Sequence, residues 1–162
     1  MEKINLAIIG YAGTGKSNTY MNYIIKTDYD EIYLYTPHVN ETLNKLTDKI
    51  IIDDINNIPE LDSFNMKKRK LIIFDEFCDC DRSIINKILN YAICSRIKNF
   101  HCIFTSFNLY NLPYNIRQQC NYILYTDKIN KKDLRLLKFQ YDEKLINNIN
   151  ELCIVNGSGI IN

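Results

Sequence analysis

Residues 10–17 read GYAGTGKS, and Gly10, Gly15, Lys16 and Ser17 fall on the spacing G-x-x-x-x-G-K-[ST]. That spacing is suited to holding phosphate. Glycines at 10, 13 and 15 allow backbone conformations that side chains obstruct, so N–H groups can turn inward onto an anion. They do so at the positive end of the helix that follows. Lys16 is placed to reach the β- and γ-phosphates of a nucleotide, and Ser17 to give its hydroxyl oxygen to Mg²⁺. The expected nucleotide-lining residues are Gly10, Ala12, Gly13, Thr14, Gly15, Lys16, Ser17 and Asn18.

Hydrolysis needs a second half, and KLIIFDE supplies it. An apolar run of this kind reads as a strand covered on both faces. At its end Asp75 is expected to hold Mg²⁺ opposite Ser17, and Glu76 to orient or deprotonate the attacking water. A GTPase switch would read D-x-x-G here, whereas this chain reads DEFC, with Cys78 at the glycine position. NKKD at 130–133 imitates the guanine-reading N-K-x-D but does not directly follow an apolar strand. It reads instead as a charged helix start with Asp133 in the first turn. ATP is therefore the expected nucleotide.

These residues need a scaffold, and the chain alternates strand and helix to provide one. INLAIIG, EIYLYTP, KIIIDD, KLIIFDE, FHCIFTSF and NYILYTD read as strands. KSNTYMNYIIK reads as a helix, as does SIINKILNYAICSRI, with Ile84, Ile88, Tyr91 and Ile97 at helical spacing. This alternation predicts an α/β fold, a mostly parallel sheet with helices on both faces. The tail LCIVNGSGII is expected to form an edge hairpin. A single domain over 1–162 is expected from 162 residues, and such a domain buries roughly 70% of the surface its unfolded chain exposes.

Composition narrows the class. The net charge is +1, so any nucleic-acid contact must come from a local patch. The six cysteines form no C-x-x-C pair and only two histidines are present, which argues against zinc. Cysteines within apolar runs suit free thiols in a reducing compartment. No apolar run approaches membrane-spanning length and no signal peptide is evident, so a cytosolic protein with no membrane partner is expected.

Beyond the acidic pair, SRIKNFHCIFTSFNLYNLPYNIRQQCNYILY resembles a block of the viral genome-packaging ATPases of the FtsK–HerA superfamily, nearest to the poxvirus and virophage types. In that family a helix ends in Arg, a strand ends in a polar sensor, and L/I-P-x-x-I-R-x-N follows before another strand. Here these appear as Arg96, HCIFTS and LPYNIRQQCNYILY; YLYTPHVNET also resembles the family's stretch after the first helix. The likeness covers residues 4 to 140. It implies a P-loop NTPase of RecA/FtsK–HerA-like fold that uses ATP and Mg²⁺ in a homo-oligomeric ring to drive double-stranded DNA into a capsid. Arg96 is implied as an arginine finger for the neighbouring subunit, and Arg117 as a sensing or interface residue. Implied partners are DNA and a capsid vertex protein, in the host cytoplasm or a virus factory, with association to the virion. The family's sensor Gln aligns with Phe107, which cannot hydrogen-bond a phosphate. Ser106 and Asn108 flank it, and Asn108 carries the amide chemistry. Lys16, Glu76, Arg96 and Asn108 are thus the candidate catalytic set, with Ser17 and Asp75 for the metal.

Two basic runs are candidates for DNA contact: KKRK at 67–70 and KINKKDLRLLK at 128–138. The first lies at the end of its strand away from the nucleotide and reads first as a solvated loop. Rival readings are another FtsK–HerA-type assembly or DNA-transfer ATPase, a small P-loop kinase, and a GTPase-like switch. A kinase would need an Arg-rich lid, and the few arginines are scattered.

Overall fold

The computed structural model describes residues 4–38, 50–65, 67–95, 97–141 and 152–154. In chain order these form β1 (Asn5–Ile9), α1 (Lys16–Lys26), β2 (Glu31–Thr36), β3 (Ile50–Asp54), β4 (Lys70–Phe74), α2 (Arg82–Cys94), β5 (Phe100–Ser106), α3 (Tyr114–Arg117), β6 (Tyr122–Tyr125), α4 (Lys131–Gln140) and β7 (Leu152–Ile154). The strands make one sheet in the order β3-β2-β4-β5-β1-β6-β7. The first six are mutually parallel, and β7 pairs antiparallel to β6. The expected edge hairpin is represented by β7 as an edge strand; its Gly-rich turn lies outside the described residues.

Both faces of the sheet are covered because its central strands are apolar at every position. Every residue of β1, β4 and β5 is buried. Alternate side chains go to opposite sides. Ala7, Ile9, Ile72, Phe74, Cys102 and Phe104 pack with Ile88 and Tyr91 of α2, Ile116 of α3 and Leu137 of α4. Leu6, Ile8, Leu71, Ile73 and Ile103 pack with Tyr20 and Ile24 of α1. The first layer is rich in aromatics, with Phe74 and Phe104 stacked at 5.7 Å between centroids.

α2 is shorter than its apolar spacing predicts. It ends at Cys94, where the Ser95 hydroxyl donates to the Ala92 carbonyl, and the amides of Ile97 and Lys98 close a turn on the Cys94 carbonyl. Ile88 and Tyr91 are core, whereas Ile97 is 83% exposed. Arg96, in this turn, lies outside the described residues.

The KKRK run is largely committed within the chain. Lys68 pairs with Glu31 at 2.7 Å. The Arg69 guanidinium stands over the Tyr29 ring and donates to the Asp28 carbonyl, while its amide donates to Asp30. Lys70 is buried on the carbonyls of Asn65 and Lys68, and that burial holds its ammonium below the usual lysine range. The run therefore fastens the start of β4 to the start of β2 instead of forming a free cationic patch.

Candidate nucleotide site

The order of the strands decides where the chemistry can occur. β5 lies between β1, which leads into the glycine loop, and β4, which ends in the two acids. All three strands run the same way, so their C-terminal ends form one rim. Gly10–Ser17 spans the rim from β1 into α1.

The loop's three glycines serve two purposes. Gly13 and Gly15 have φ of 80° and 97°, left-handed conformations that disfavour any side chain. Gly10 is needed for space: a Cβ there would meet the hydroxyl oxygens of Thr126 at 2.0 Å and Thr14 at 2.5 Å. Those two hydroxyls touch at 2.7 Å, and Thr14 also donates to the Tyr11 carbonyl, tying the loop to the end of β6. Ala12, Gly13, Ser17 and Asn18 are exposed along the loop, open to a ligand.

Lys16 is buried beneath the loop. Its ammonium donates to the carbonyls of Gly10 at 2.9 Å and Tyr11 at 3.3 Å and faces Glu76 Oε1 at 3.7 Å. The loop lysine and the second acid, 60 positions apart in sequence, thus meet across the rim.

Asp75 is buried beside them. Thr105 Oγ1 donates to its Oδ1 at 2.5 Å, and the Tyr20 phenol donates to its Oδ2 at 3.5 Å. Burial pushes the Asp75 carboxyl above its ordinary range; the Thr105 hydrogen bond opposes this, and the Glu76 charge reinforces it. Tyr20 also hydrogen-bonds Ser17, and burial with the Asp75 charge raises its phenol to about 12. The two groups expected to hold a metal therefore share one phenol. A carboxylate and a hydroxyl are hard oxygen donors, and a buried carboxylate gains from a nearby cation, so the set fits Mg²⁺. Glu76 follows in a left-handed conformation, φ 52°, with its amide donating to Thr105 Oγ1 at 2.9 Å.

Solved proteins share this arrangement of strands and loop. The DNA-packaging ATPase B204 from Sulfolobus turreted icosahedral virus superposes with a TM-score of 0.68 at 14% identity, over 93% of this chain and 88% of that one. The genome packaging NTPase B204 from Sulfolobus turreted icosahedral virus 2, in complex with AMPPCP, gives 0.61 at 16% identity, over 89% and 86%. EssC (ATPases 2 and 3) from Geobacillus thermodenitrificans gives 0.62 at 14%, over 76% of this chain and 32% of that one. The chain has a P-loop NTPase fold. No family model and no curated protein matches its sequence, so the likeness is one of fold.

The segment after β5 frames the P-loop on its other side. Phe107, aligned with the family's sensor Gln, lays its ring 4.8 Å from the Lys16 ammonium. Ser106 is buried, takes a contact from the Cys78 thiol and donates to the Asn108 carbonyl. Asn108 accepts the Asn111 amide on its side-chain oxygen at 2.8 Å and lines a cleft of about 440 Å³ with Tyr11, Tyr110 and Lys131. Of the candidate residues, the structure brings Lys16, Asp75 and Glu76 together, with Ser17 joined through Tyr20. Asn108 stands on the adjoining loop.

Two charged residues bolt that loop in place. Asp133, wholly buried in the first turn of α4, accepts the amides of Leu109 at 2.8 Å and Tyr110 at 3.1 Å. Arg117, at the end of α3, donates to the carbonyls of Leu109 and Leu112. Both Asp133 oxygens are thus engaged, which leaves NKKD a helix start and not a guanine reader. Arg117 acts as a brace within its own chain. Thr105 and Tyr20 were not anticipated as site residues. On an apolar strand and an amphipathic helix they read as core, and the only hint was a hydroxyl at positions where the patterns call for hydrocarbon.

Proposed function

We propose that this protein is an ATPase that drives double-stranded DNA into a viral capsid as a homo-oligomeric ring. The observation that carries the reading is the convergence of Lys16, Asp75 and Glu76 on one rim, with Lys16 and Glu76 3.7 Å apart. ATP would lie along Gly10–Asn18, with the loop amides on its phosphates and the Lys16 ammonium transferring from the Gly10 and Tyr11 carbonyls to the β- and γ-phosphates. Ser17 and Asp75 would hold Mg²⁺, which supplies charge neutralisation when bound. Glu76 would accept the proton of a water whose oxygen bonds to the γ-phosphorus as the bond to the β–γ bridging oxygen breaks, releasing ADP and phosphate. With its oxygen fixed by Asn111, Asn108 would turn its amide N–H toward the γ-phosphate. Arg96 would act in the neighbouring subunit's site.

The B204 proteins are named for genome or DNA packaging, and that name supports carrying the role to a chain of the same fold. A capsid vertex protein is the natural docking partner, and the host cytoplasm or a virus factory the place. Purified protein should hydrolyse ATP only with Mg²⁺, and duplex DNA should accelerate turnover. Mg²⁺-dependent hydrolysis indifferent to DNA would instead favour an assembly or secretion role, the direction in which the EssC likeness points. An absence of hydrolysis under all these conditions would end the ATPase reading.

A further inference from the structure

We infer that Thr105 is a positioning residue that sets both acids of the site through a single hydroxyl. The inference rests on the Mg·ATP reading of the site and extends it to a residue outside the phosphate loop and the acidic pair.

The register of the sheet brings Thr105 to this place. Phe74 of β4 lies opposite Phe104 of β5, so the next residues along, Asp75 and Thr105, are neighbours. Both follow residues turned toward α2, so both turn toward α1, where Tyr20 meets Asp75 from the helix. On its other side Thr105 is opposite Ile8 of β1, and it is wholly buried. Nothing about its exposure or its neighbours allows the hydroxyl to face water.

Its hydrogen bonding has one arrangement. A hydroxyl has one proton to give and lone pairs to receive. An ionised Asp75 can only accept, and the Glu76 N–H can only donate. The Thr105 proton therefore points at Asp75 Oδ1, 2.5 Å away, and its lone pair takes the Glu76 amide at 2.9 Å. The second bond holds Glu76 in a left-handed conformation that residues with a side chain seldom adopt. In that conformation the Glu76 carboxylate reaches toward Lys16. Without the hydroxyl, Asp75 loses its shortest donor and Glu76 is free to relax away from the phosphate. Nucleotide capture belongs to the loop and Lys16, so the loss should fall on metal use and on the chemical step.

Thr105→Val keeps the shape and removes the hydroxyl; Thr105→Ser keeps the hydroxyl. In steady-state ATPase assays, Thr105→Val should lower kcat about 10–100-fold and raise the Mg²⁺ needed for half-activation, as loss of an outer-shell partner does. Its KM for ATP should change little, and Thr105→Ser should return close to wild type. Thermal melts give a readout free of turnover. A non-hydrolysable ATP analogue without metal should stabilise both variants as it does wild type, whereas the added stabilisation from Mg²⁺ should be lost in Thr105→Val alone. If Thr105→Val does not fold, Thr105→Ala replaces it. A folded, hydroxyl-free variant with wild-type kcat and Mg²⁺ response would overturn the inference, as would a Thr105→Ser variant equally impaired. A wild-type protein that neither binds nor cleaves Mg·ATP would instead sink the reading beneath it.

Discussion

Glu76→Gln is expected to lower ATP turnover about 10²–10⁴-fold, the range associated with loss of a positioned general base. The substitution keeps size and shape but removes the capacity to take a proton at neutral pH. It should spare binding, because Glu76 holds Lys16 only while the phosphate position is empty of charge: at 3.7 Å the pair competes with the incoming γ-phosphate. A neutral amide withdraws that competition, so affinity for ATP should be unchanged or somewhat tighter. Steady-state turnover together with a fluorescent-nucleotide titration separates the two effects. Equal turnover in wild type and variant would remove Glu76 from the mechanism. A large fall in affinity would reassign it to binding.

The second large effect lies away from the phosphates. Asp133→Ala should destabilise the fold by about 3–5 kcal/mol. Two charge-assisted hydrogen bonds to the amides of Leu109 and Tyr110 disappear, and the buried N–H groups left behind each cost about 1–3 kcal/mol. For a chain of this length that is a fall in Tm on the order of 10 °C. Asp133→Asn retains one acceptor and should fall between the variant and wild type. Neither change should alter the relative preference for ATP over GTP, because the carboxylate faces the chain's own backbone. Thermal melts and a nucleotide competition titration check both statements. A Tm that does not move, or a shifted base preference, would restore NKKD as a ligand-reading element.

The sequence patterns carried the scaffold because its elements are locally encoded. The apolar runs at 5–9, 70–74 and 100–106 are strands, and KSNTYMNYIIK is α1 with the bounds its spacing predicts. What spacing could not convey is which strand stands beside which. The placing of β5 between β1 and β4 brings Thr105 against Asp75, a pairing that no linear pattern contains. Burial likewise changed the meaning of several residues. Lys70 and Arg117 read as surface cations, yet each is buried against backbone carbonyls. Asp133 reads as the ordinary acidic residue of a helix start, and the helix does begin there, but its oxygens serve the loop after β5. Gly10 reads as a conformational glycine and is a steric one, because Thr126, 116 positions later, closes over it. The four-residue α3 follows Pro113 and is too short for periodicity to reveal.

The central claim is that loop amides and Lys16 grip a triphosphate beside Asp75 and Glu76. Calorimetric titration of a non-hydrolysable ATP analogue with Mg²⁺ into wild type and Lys16→Ala tests it most directly. Lys16 would make charge-assisted hydrogen bonds to two phosphates, each contributing about 1.5–3 kcal/mol, so the variant should bind about 100-fold more weakly or worse. Wild-type protein with no affinity for the Mg²⁺ complex, or a Lys16→Ala variant that binds as tightly as wild type, would contradict it.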